Sequence, residues 1–440
     1  MRRSRAVDAL RGVAVLLVLM HHLDTGGWVD ATPWLAPLRE VRAVGFLGVS
    51  LFLVLSGFSI HLRVAAGGEF RAGQFLLRRF LRLHPAYLVA VCLALCLIGL
   101  NGVVRHSSAH ATWGFTGSPM PVWMLACVHL TVVGATVLPA GWLMVTWSLA
   151  LEEHLYLIYA GAMRWLRRTR PLTWLLVGLG ITLAWRAGAM LVMPSVPKSL
   201  LPLGPERTWV ATLLYQQAPA RIVEWLLGAV AAEWYVGRQR LPQALTSRVT
   251  ALLSLYGVWW LFHHRAGFGS LGGHPVALTD LVWDPAAGAA FFLLLCSCLA
   301  AERRTAERGA AERGQAGRPP RWWRPRSWPL RSWRPTVPGL AWVGERSYSL
   351  YLVHLPIFQT TFSLLRGTMP APAGRIVEAV IALVVAFGCA ALMYRYVEAP
   401  STAWSKRAGQ RPAPPPSTAR PEDGGAAGSD QRYAAASATR

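Results

Sequence analysis

The sequence predicts an all-α protein, a polytopic membrane bundle of about ten transmembrane helices. Of the 440 residues, 54% are hydrophobic and only 15% are charged. A soluble protein of this length usually carries about a quarter charged residues. Apolar runs of about 18 residues or more, the length that crosses a bilayer as a helix, recur along most of the chain.

The predicted spans are apolar segments separated by polar or basic ones. They lie near residues 7–23, 43–62, 83–100, 143–163, 172–193, 209–235, 249–264, 281–299, 338–362 and 376–396. A further apolar stretch, 122–138, is expected to be re-entrant or packed on the outer side. Irregular backbone at that depth is tolerated only when it is buried in protein or lines a wet cavity.

The basic segments predict the orientation, because loops rich in Arg and Lys beside spans mark the cytoplasmic side. "MRRSR" places the N-terminus inside. If 122–138 does not span, the basic segments 71–82, 164–170, 237–248 and 300–337 also fall inside. We therefore expect a multi-pass protein of the plasma membrane with both termini in the cytoplasm. The first span lacks a small-residue cleavage site, so we expect it to be retained.

The chain divides into a transmembrane domain, 1–404, and a tail, 405–440. The tail is rich in Pro, Ala, Gly and Ser, which predicts a disordered cytoplasmic segment without a further catalytic domain. The basic loop 300–337 holds ten arginines and three glutamates. The formal net charge of +23 would fit a nucleic-acid binder. Because the arginines lie beside apolar spans, we expect contact with anionic membrane lipids and no nucleic acid.

The six cysteines all lie in apolar stretches, and none forms a CxxC pair with nearby histidines. This pattern predicts neither a disulfide framework nor a metal site. We interpret the cysteines as small buried hydrophobic residues.

The first span, "RAVDALRGVAVLLVLMHHL", carries polar groups at two depths. Arg11 and His22 lie about 16 Å apart along a helix and share one face, since eleven residues make about three turns. A histidine at this depth is costly unless it faces a cavity or a partner. We interpret His22 as a candidate general base; the alternative is a histidine that only packs against another helix.

The third span begins with "FLLRRFLRLHPAY". Arg79 and Arg82 stand at i and i+3, so they share a helix face at the inner boundary. Two guanidinium groups there suit a phosphate or pyrophosphate. Ordinary positive-inside anchoring explains the same pattern equally well.

The segment "TWSLALEEHLYLIY" brings carboxylates into an apolar helix. Glu152 lies about one and a half turns below Trp147, which suits the outer aromatic belt. Intramembrane carboxylates are functional candidates. Glu152 would orient a histidine or balance its charge, and the alternative is a structural pair with an arginine.

Two later segments carry further polar residues into the membrane. "SYSLYLVHLP" places His354 above Ser347 and Tyr348, at a depth comparable with that of His22. "RIVEWLLGA" places Arg221 and Glu224 at i and i+3, most simply as an ion pair that satisfies itself.

Two motifs are interpreted mainly as structural. In "FLGVSLFLVLSGFSI", small residues including Ser56 allow close helix approach. A nucleophilic Ser56 is a minor alternative, because the segment has no GxSxG elbow. "YVEAP" places Glu398 and Pro400 at the inner end of the last span, where we expect a helix stop and an anchor.

Together these motifs resemble acyltransferase family 3, a family of membrane O-acyltransferases. The matching segments occur in family order from residue 5 to about 400. They are "DALRGVAVLLVLMHH", "GVSLFLVLSGF", "RRFLRLHP", "WSLALEEHLY", "RIVEWLLG", "SYSLYLVHLP" and "YVEAP". The chain departs from the family at His84, where relatives often carry an aromatic residue. We expect no counterpart of the extracytoplasmic domain that some relatives carry.

The resemblance implies transfer of a short acyl group from acyl-CoA, a co-substrate, to a hydroxyl of a sugar, a glycosylated metabolite or a surface glycan. No other cofactor and no metal are expected. The implied roles are catalytic for His22, Glu152 and His354, and donor-binding for Arg11, Arg79 and Arg82. Supporting roles fall to Asp8, Ser56, Trp147, Ser148, Arg221, Glu224 and Tyr348.

Two alternatives remain open at this point. The imidazole of His22 would either deprotonate the acceptor or carry the acyl group briefly. A secondary transporter or exporter of a lipid-linked or small-molecule substrate also fits a bundle with buried charges. The sequence disfavours it, because transporters often have two matching halves and no internal repeat is evident among these spans.

Overall fold

The structure is a computed structural model that describes residues 4–23, 36–104, 110–112, 119–121, 141–192, 216–264, 279–312, 338–365, 368, 370 and 373–408. Helices dominate these residues. Two short strands, β1 (His110–Thr112) and β2 (Pro119–Pro121), pair antiparallel. The segment 122–138 and residues 409–440 of the predicted tail lie outside the described residues, so their predictions stay predictions. Residues 405–407 belong to a helix, so the disorder predicted from residue 405 is wrong there.

The helices follow one another in the order that the sequence predicts. They are α1 (Arg5–Leu23), α2 (Ala36–Val44), α3 (Gly48–Ala65), α4 (Ala72–Val104), α5 (Trp147–Arg168), α6 (Pro171–Val192), α7 (Ala218–Tyr235), α8 (Arg248–His263), α9 (Thr279–Glu312), α10 (Pro338–Glu345), α11 (Ser347–Leu365), α12 (Ala373–Met393) and α13 (Ala399–Arg407). Short 3₁₀ turns at Gly45–Leu47 and Gly141–Thr146 lead into α3 and α5.

Each of the ten predicted spans overlaps a described helix or a pair of helices, although residues 209–215 of the sixth span lie outside the described residues. Six of the described helices are long and apolar enough to cross a membrane by length and composition. The chain is therefore a multi-pass helical membrane protein, and the number ten stays a prediction, as does the orientation of the termini.

One boundary prediction is wrong. The loop was expected to begin at Ala300, but α9 continues to Glu312. Its last turns, "AERRTAERGAAE", consist mostly of Ala, Glu and Arg, which are strong helix formers. Glu and Arg four residues apart add favourable side-chain pairs on the helix surface.

The bundle has a buried centre and an apolar rim. In the part of the chain that the structure describes, the exposed large apolar side chains lie on peripheral helices such as α4, α6, α8 and α12, and none lies on α1, α3, α7 or α11. The rim suits contact with lipid tails, while α1, α3, α7 and α11 hold half of the described buried polar and charged side chains. Cys92 and Cys96 belong to this rim, so the expectation that every cysteine is buried is wrong for these two.

Glycines let the central helices touch along their backbones. A Cβ on Gly57 of α3 would overlap the Trp225 carbonyl of α7, and one on Gly228 of α7 would overlap the Val54 carbonyl of α3. Small residues at such crossings are typical of membrane bundles, where close packing replaces the hydrophobic effect. The crossing fixes Ser56, the neighbour of Gly57, against the centre of the bundle.

A second crossing of this kind joins α1 and α10. A Cβ on Gly12 would overlap the Leu340 carbonyl, and one on Gly344 would overlap the Asp8 carbonyl. The backbone around Arg11 is therefore held directly by α10.

The last span does not stop at "YVEAP". A π-helical turn, Tyr394–Glu398, joins α12 to α13, so the expected helix stop is wrong. Pro400 stands in the first turn of α13, where its missing N–H breaks no helical hydrogen bond.

Candidate active site

A pair of histidines joins α1 to α11 at the end of α1. His22 Nδ1 lies 3.4 Å from His354 Nε2, and the ring centroids are 5.2 Å apart. His354 is fully buried, while His22 is half-buried. The preceding His21 points away and contacts the Arg42 carbonyl oxygen at 3.0 Å. The structure thus brings together two of the three residues predicted to be catalytic.

Backbone carbonyls define the tautomer of each ring. His354 Nδ1 lies 2.7 Å from the Tyr351 carbonyl oxygen, and His22 Nδ1 lies 2.9 Å from that of Val18. A carbonyl only accepts, so each Nδ1 carries the proton. The single His22 Nδ1–H is therefore shared between the Val18 carbonyl oxygen at 2.9 Å and His354 Nε2 at 3.4 Å, and the lone pair of His22 lies on its Nε2.

Hydroxyl groups tie the His354 helix to the start of α5. The Ser148 hydroxyl lies 2.6 Å from the Tyr351 hydroxyl, which donates to the Val145 carbonyl at 2.8 Å. The Tyr351 and His354 ring centroids are 5.7 Å apart. Trp147, also predicted as a supporting residue, is half-buried at the first position of α5. Ser148 therefore acts on the histidine site through Tyr351.

Glu152 lies one turn farther along α5. The Ser56 hydroxyl donates a hydrogen bond to it, and the Tyr156 phenol interacts with both residues. The sequence analysis expected Glu152 to orient a histidine. Its partners among the described residues are instead Ser56 and Tyr156, with Arg79 as an electrostatic neighbour. The carboxylate belongs with the arginine end of the site, because α5 turns it towards α3 and α4.

The paired arginines of α4 lie at that end. The Arg79 guanidinium stacks 5.5 Å from the Phe75 ring centroid and 5.6 Å from that of Tyr156. Within the described ranges, neither Arg79 nor Arg82 has a carboxylate oxygen within 4.0 Å. Aromatic faces hold a guanidinium while leaving its N–H donors for an anion.

A single face of α5 links the two ends. Ser148, Glu152, Tyr156 and Tyr159 stand at successive turns of one helix, so their side chains share a face. From Ser148 to Tyr156 this face extends about 12 Å. It begins at the Tyr351–His354 contact and ends beside Arg79.

Arg11 sits between α1 and α3. Its Nη2 donates to the Ser59 hydroxyl at 2.8 Å, and its Nη1 lies 3.5 Å from Asp8. Its side chain is 22% exposed. The ion pair with Asp8 within the first turns of α1 fixes the guanidinium of Arg11. The predicted supporting role of Asp8 stays a prediction.

The whole site lies within a segment that matches a family model. The model describes an acyltransferase domain and matches residues 4–395. The chain belongs to this acyltransferase family. The expectation from the ordered motifs is therefore confirmed, and Arg11, Glu152 and His354 all lie inside the match.

Three relatives are similar to this acyltransferase-family chain. Peptidoglycan O-acetyltransferase OatA of Listeria monocytogenes is 25% identical over 90% of this chain and 55% of its own length. Putative membrane-bound transacylase BcsY of Komagataeibacter xylinus is 31% identical over 36% of each chain. Acyltransferase MdmB of Streptomyces mycarofaciens is 28% identical over 58% of this chain and 64% of its own. The chain thus spans about half the length of OatA, and no solved structure matches it.

A buried charge network lies beside the site of this family member. Arg221 donates to Glu224 at 2.6 and 3.0 Å and to the Ser50 hydroxyl at 2.9 Å. Asp284 bridges Arg221, at 3.4 Å, and Arg186, at 2.7 Å. The Arg221–Glu224 pair is present as predicted, but it belongs to a four-charge network that joins α3, α6, α7 and α9. Among the described residues, this network contains two positive and two negative groups.

Tyr348 ties the start of α11 to α4. Its hydroxyl donates to the Leu83 carbonyl oxygen at 2.9 Å, next to Arg82 in sequence. Tyr348 therefore connects the helix of His354 with the helix of the paired arginines.

Sequence reasoning missed Tyr351 and Tyr156. The signal was available, since Tyr351 is three residues before His354 and Tyr156 is four after Glu152, which places each on the same helix face. Asp284 carried no such local signal. Among the described residues, no group of three or more His, Cys, Asp or Glu side chains is arranged to hold a metal ion.

Proposed function

We propose that the protein is a membrane O-acyltransferase that moves a short acyl group from acyl-CoA to a hydroxyl of a sugar-containing acceptor. One observation carries this proposal: a single helix face, α5, connects a histidine pair with an arginine cluster. Membership of the acyltransferase family supports the reaction class. The peptidoglycan O-acetyltransferase among the relatives supports a carbohydrate acceptor.

The donor phosphates would bind at the arginine end. Arg79 and Arg82 present guanidinium groups that suit phosphate oxygens in bidentate geometry. Arg11, held by Asp8 and Ser59, adds a third positive charge. The long pantetheine arm of CoA would then follow the α5 face towards the histidines.

His22 is the proposed general base. Its Nε2 lone pair takes the proton of the acceptor hydroxyl as the oxygen attacks the thioester carbonyl. A C–O bond forms, the C–S bond breaks, and the proton passes from the imidazolium to the CoA thiolate. During this step the His22 Nδ1–H donates to His354 Nε2, which would stabilise the imidazolium.

The same Nε2 serves the alternative route. It would attack the thioester itself, release CoA as the thiolate and hold the acyl group as an acyl-imidazolium until the hydroxyl arrives. The ester C–O bond then forms as the acyl C–N bond breaks, and the hydroxyl proton passes to the freed Nε2. Direct transfer needs both substrates bound together, whereas an acyl-histidine lets them enter in sequence. Incubation with acyl-CoA alone, followed by mass spectrometry of the His22 peptide, separates the two routes.

The test uses the full chain, purified in detergent, with radiolabelled acetyl-CoA and a panel of glycan and glycosylated acceptors. We expect labelled ester with the unchanged chain and none with His22→Ala. His154→Ala is the matched control, since this half-buried imidazole lies on the opposite face of α5 from Glu152. Full activity of His22→Ala would remove the proposed base. Substrate movement into vesicles without ester formation would favour the transporter.

A further inference from the structure

Glu398 is a buried carboxylate that the proposed chemistry does not use. It is the last residue of the π-helical turn Tyr394–Glu398, and only 5% of it is exposed. It lies just beyond the segment that matches the family model, which ends at residue 395. A π-helical turn carries an extra residue per turn and occurs frequently at functional sites.

The carboxylate caps a helix that belongs to another part of the chain. Glu398 Oε2 accepts the Ser349 backbone N–H at 3.3 Å and the Ser349 hydroxyl at 2.6 Å. Helix α11 begins at Ser347, so this N–H is one of the donors that a helix start leaves without an intrahelical partner. A negative charge there is also favoured by the helix dipole.

The same turn is fixed to the arginine helix. Pro85 lies inside α4 and has no N–H to donate to the Leu81 carbonyl, and two other carbonyl oxygens of the preceding turn accept hydrogen bonds from other helices. Tyr348 donates to one of them, the Leu83 oxygen, at 2.9 Å, and Ser401 of α13 donates to the Arg82 oxygen at 3.2 Å. The segment around Glu398 thus contacts both the start of α11 and the arginine turn of α4.

The capped turn lies close to the histidine pair. Ser349 and His354 are five residues apart on α11, which is about 7.5 Å along the helix. His354 depends on that helix for its place, because its Nδ1 is held by the carbonyl oxygens of Leu350 and Tyr351. A small rotation or shift of α11 would therefore lengthen the 3.4 Å contact between His354 and His22.

We propose that Glu398 is a positioning residue, which holds the first turn of α11 so that His354 stays within reach of His22. The proposal rests on the proposed function for its catalytic consequence. Glu398 acts through Ser349 and the helix, and it contacts neither of the histidines.

The test compares Glu398→Ala, Glu398→Gln and Ser349→Ala in the full chain in detergent. The control is Glu378→Ala, which removes another buried carboxylate from the adjoining α12. Hydrogen exchange of the 346–354 peptide reports the capped turn directly, and kinetics report its catalytic effect. We expect faster exchange and a kcat about tenfold lower in Glu398→Ala, with the donor KM within about twofold.

The conservative variant sharpens the result. Glu398→Gln keeps an oxygen that accepts from Ser349 but loses the charge, so its kcat and exchange should lie between those of Glu398→Ala and the unchanged chain. Ser349→Ala should reproduce part of the loss, and it should add little in the Glu398→Ala background. Glu378→Ala should leave the exchange of the 346–354 peptide unchanged.

Two results would overturn the proposal. The first is unchanged exchange of the 346–354 peptide in Glu398→Ala; the second is unchanged kcat despite faster exchange. If Glu398→Ala does not fold, Glu398→Gln and Ser349→Ala decide by the same criteria. If the unchanged chain transfers no acyl group, the proposed function fails, while the exchange experiment still decides whether Glu398 holds the helix.

Discussion

Replacing Gly57 with alanine should separate α3, which carries Ser56, from α7, which lies beside the site. A Cβ at this position would lie 2.9 Å from the Trp225 carbonyl carbon and nearer still to its oxygen, whereas ordinary contacts are 3.4–4 Å. Helices α3 and α7 must therefore move apart by at least 0.5 Å, the difference between 3.4 and 2.9 Å. Backbone atoms cannot rotate aside as a side chain would.

The magnitude follows from two opposing effects. Overpacking a close contact costs about 3 kcal/mol at the upper end of its usual range, whereas Gly→Ala within a helix gains about 1 kcal/mol. We expect a net loss of about 2 kcal/mol in the free energy of unfolding. Acyl transfer should fall about tenfold as well, because the shift moves Ser56 relative to Glu152.

The assay pairs thermal unfolding in detergent with acyl transfer. Gly161→Ala is the matched control, because Gly161 lies on α5 and a Cβ there would meet nothing within 4 Å. It should be neutral or slightly stabilising. Gly228→Ala should resemble Gly57→Ala, and the double variant should cost less than the sum, because one separation relieves both clashes. Wild-type stability and activity in Gly57→Ala would refute the crossing.

Two further predictions concern charge. Arg79→Lys should raise the donor KM about tenfold with little change in kcat, because an ammonium group cannot bind a phosphate in bidentate geometry. The control is Arg395→Lys, which replaces an exposed arginine stacked on Tyr396. Equal effects of the two substitutions on the donor KM would contradict the donor site. Asp284→Ala should lower the free energy of unfolding by about 3–5 kcal/mol, measured by thermal unfolding, because it leaves Arg186 buried without this partner. Adding Arg186→Met to the same chain should restore much of the lost stability. A double variant less stable than Asp284→Ala would count against the network.

The sequence predicted depth along helices better than direction around them. His22 and His354 were expected at comparable depths, and they meet. Depth follows from counting residues from a membrane boundary at a fixed rise per residue. Which neighbour each helix face meets depends on how the whole bundle packs. For that reason Glu152, placed at a histidine depth, turned out to face Ser56.

Pairs within one helix were predictable, and pairs between distant helices were not. Arg221 and Glu224 stand at i and i+3, so their contact follows from helix geometry alone. Asp284 and Arg186 are 98 residues apart and meet only because α6 and α9 both pack beside α7. The helix stop predicted at Pro400 was wrong, because this proline lies in the first turn of a new helix, α13.

The polar face of α5 has a consequence for substrate choice. One continuous helix carries both Ser148 and Tyr156. The distance between the arginine end and the histidine pair is therefore fixed by that helix. Under the proposed function, the pantetheine arm, which every acyl-CoA shares, would span this distance. A longer or branched acyl group would then have to fit beyond His22. Substitutions that let the enzyme accept a wider range of acyl donors should therefore lie around His22.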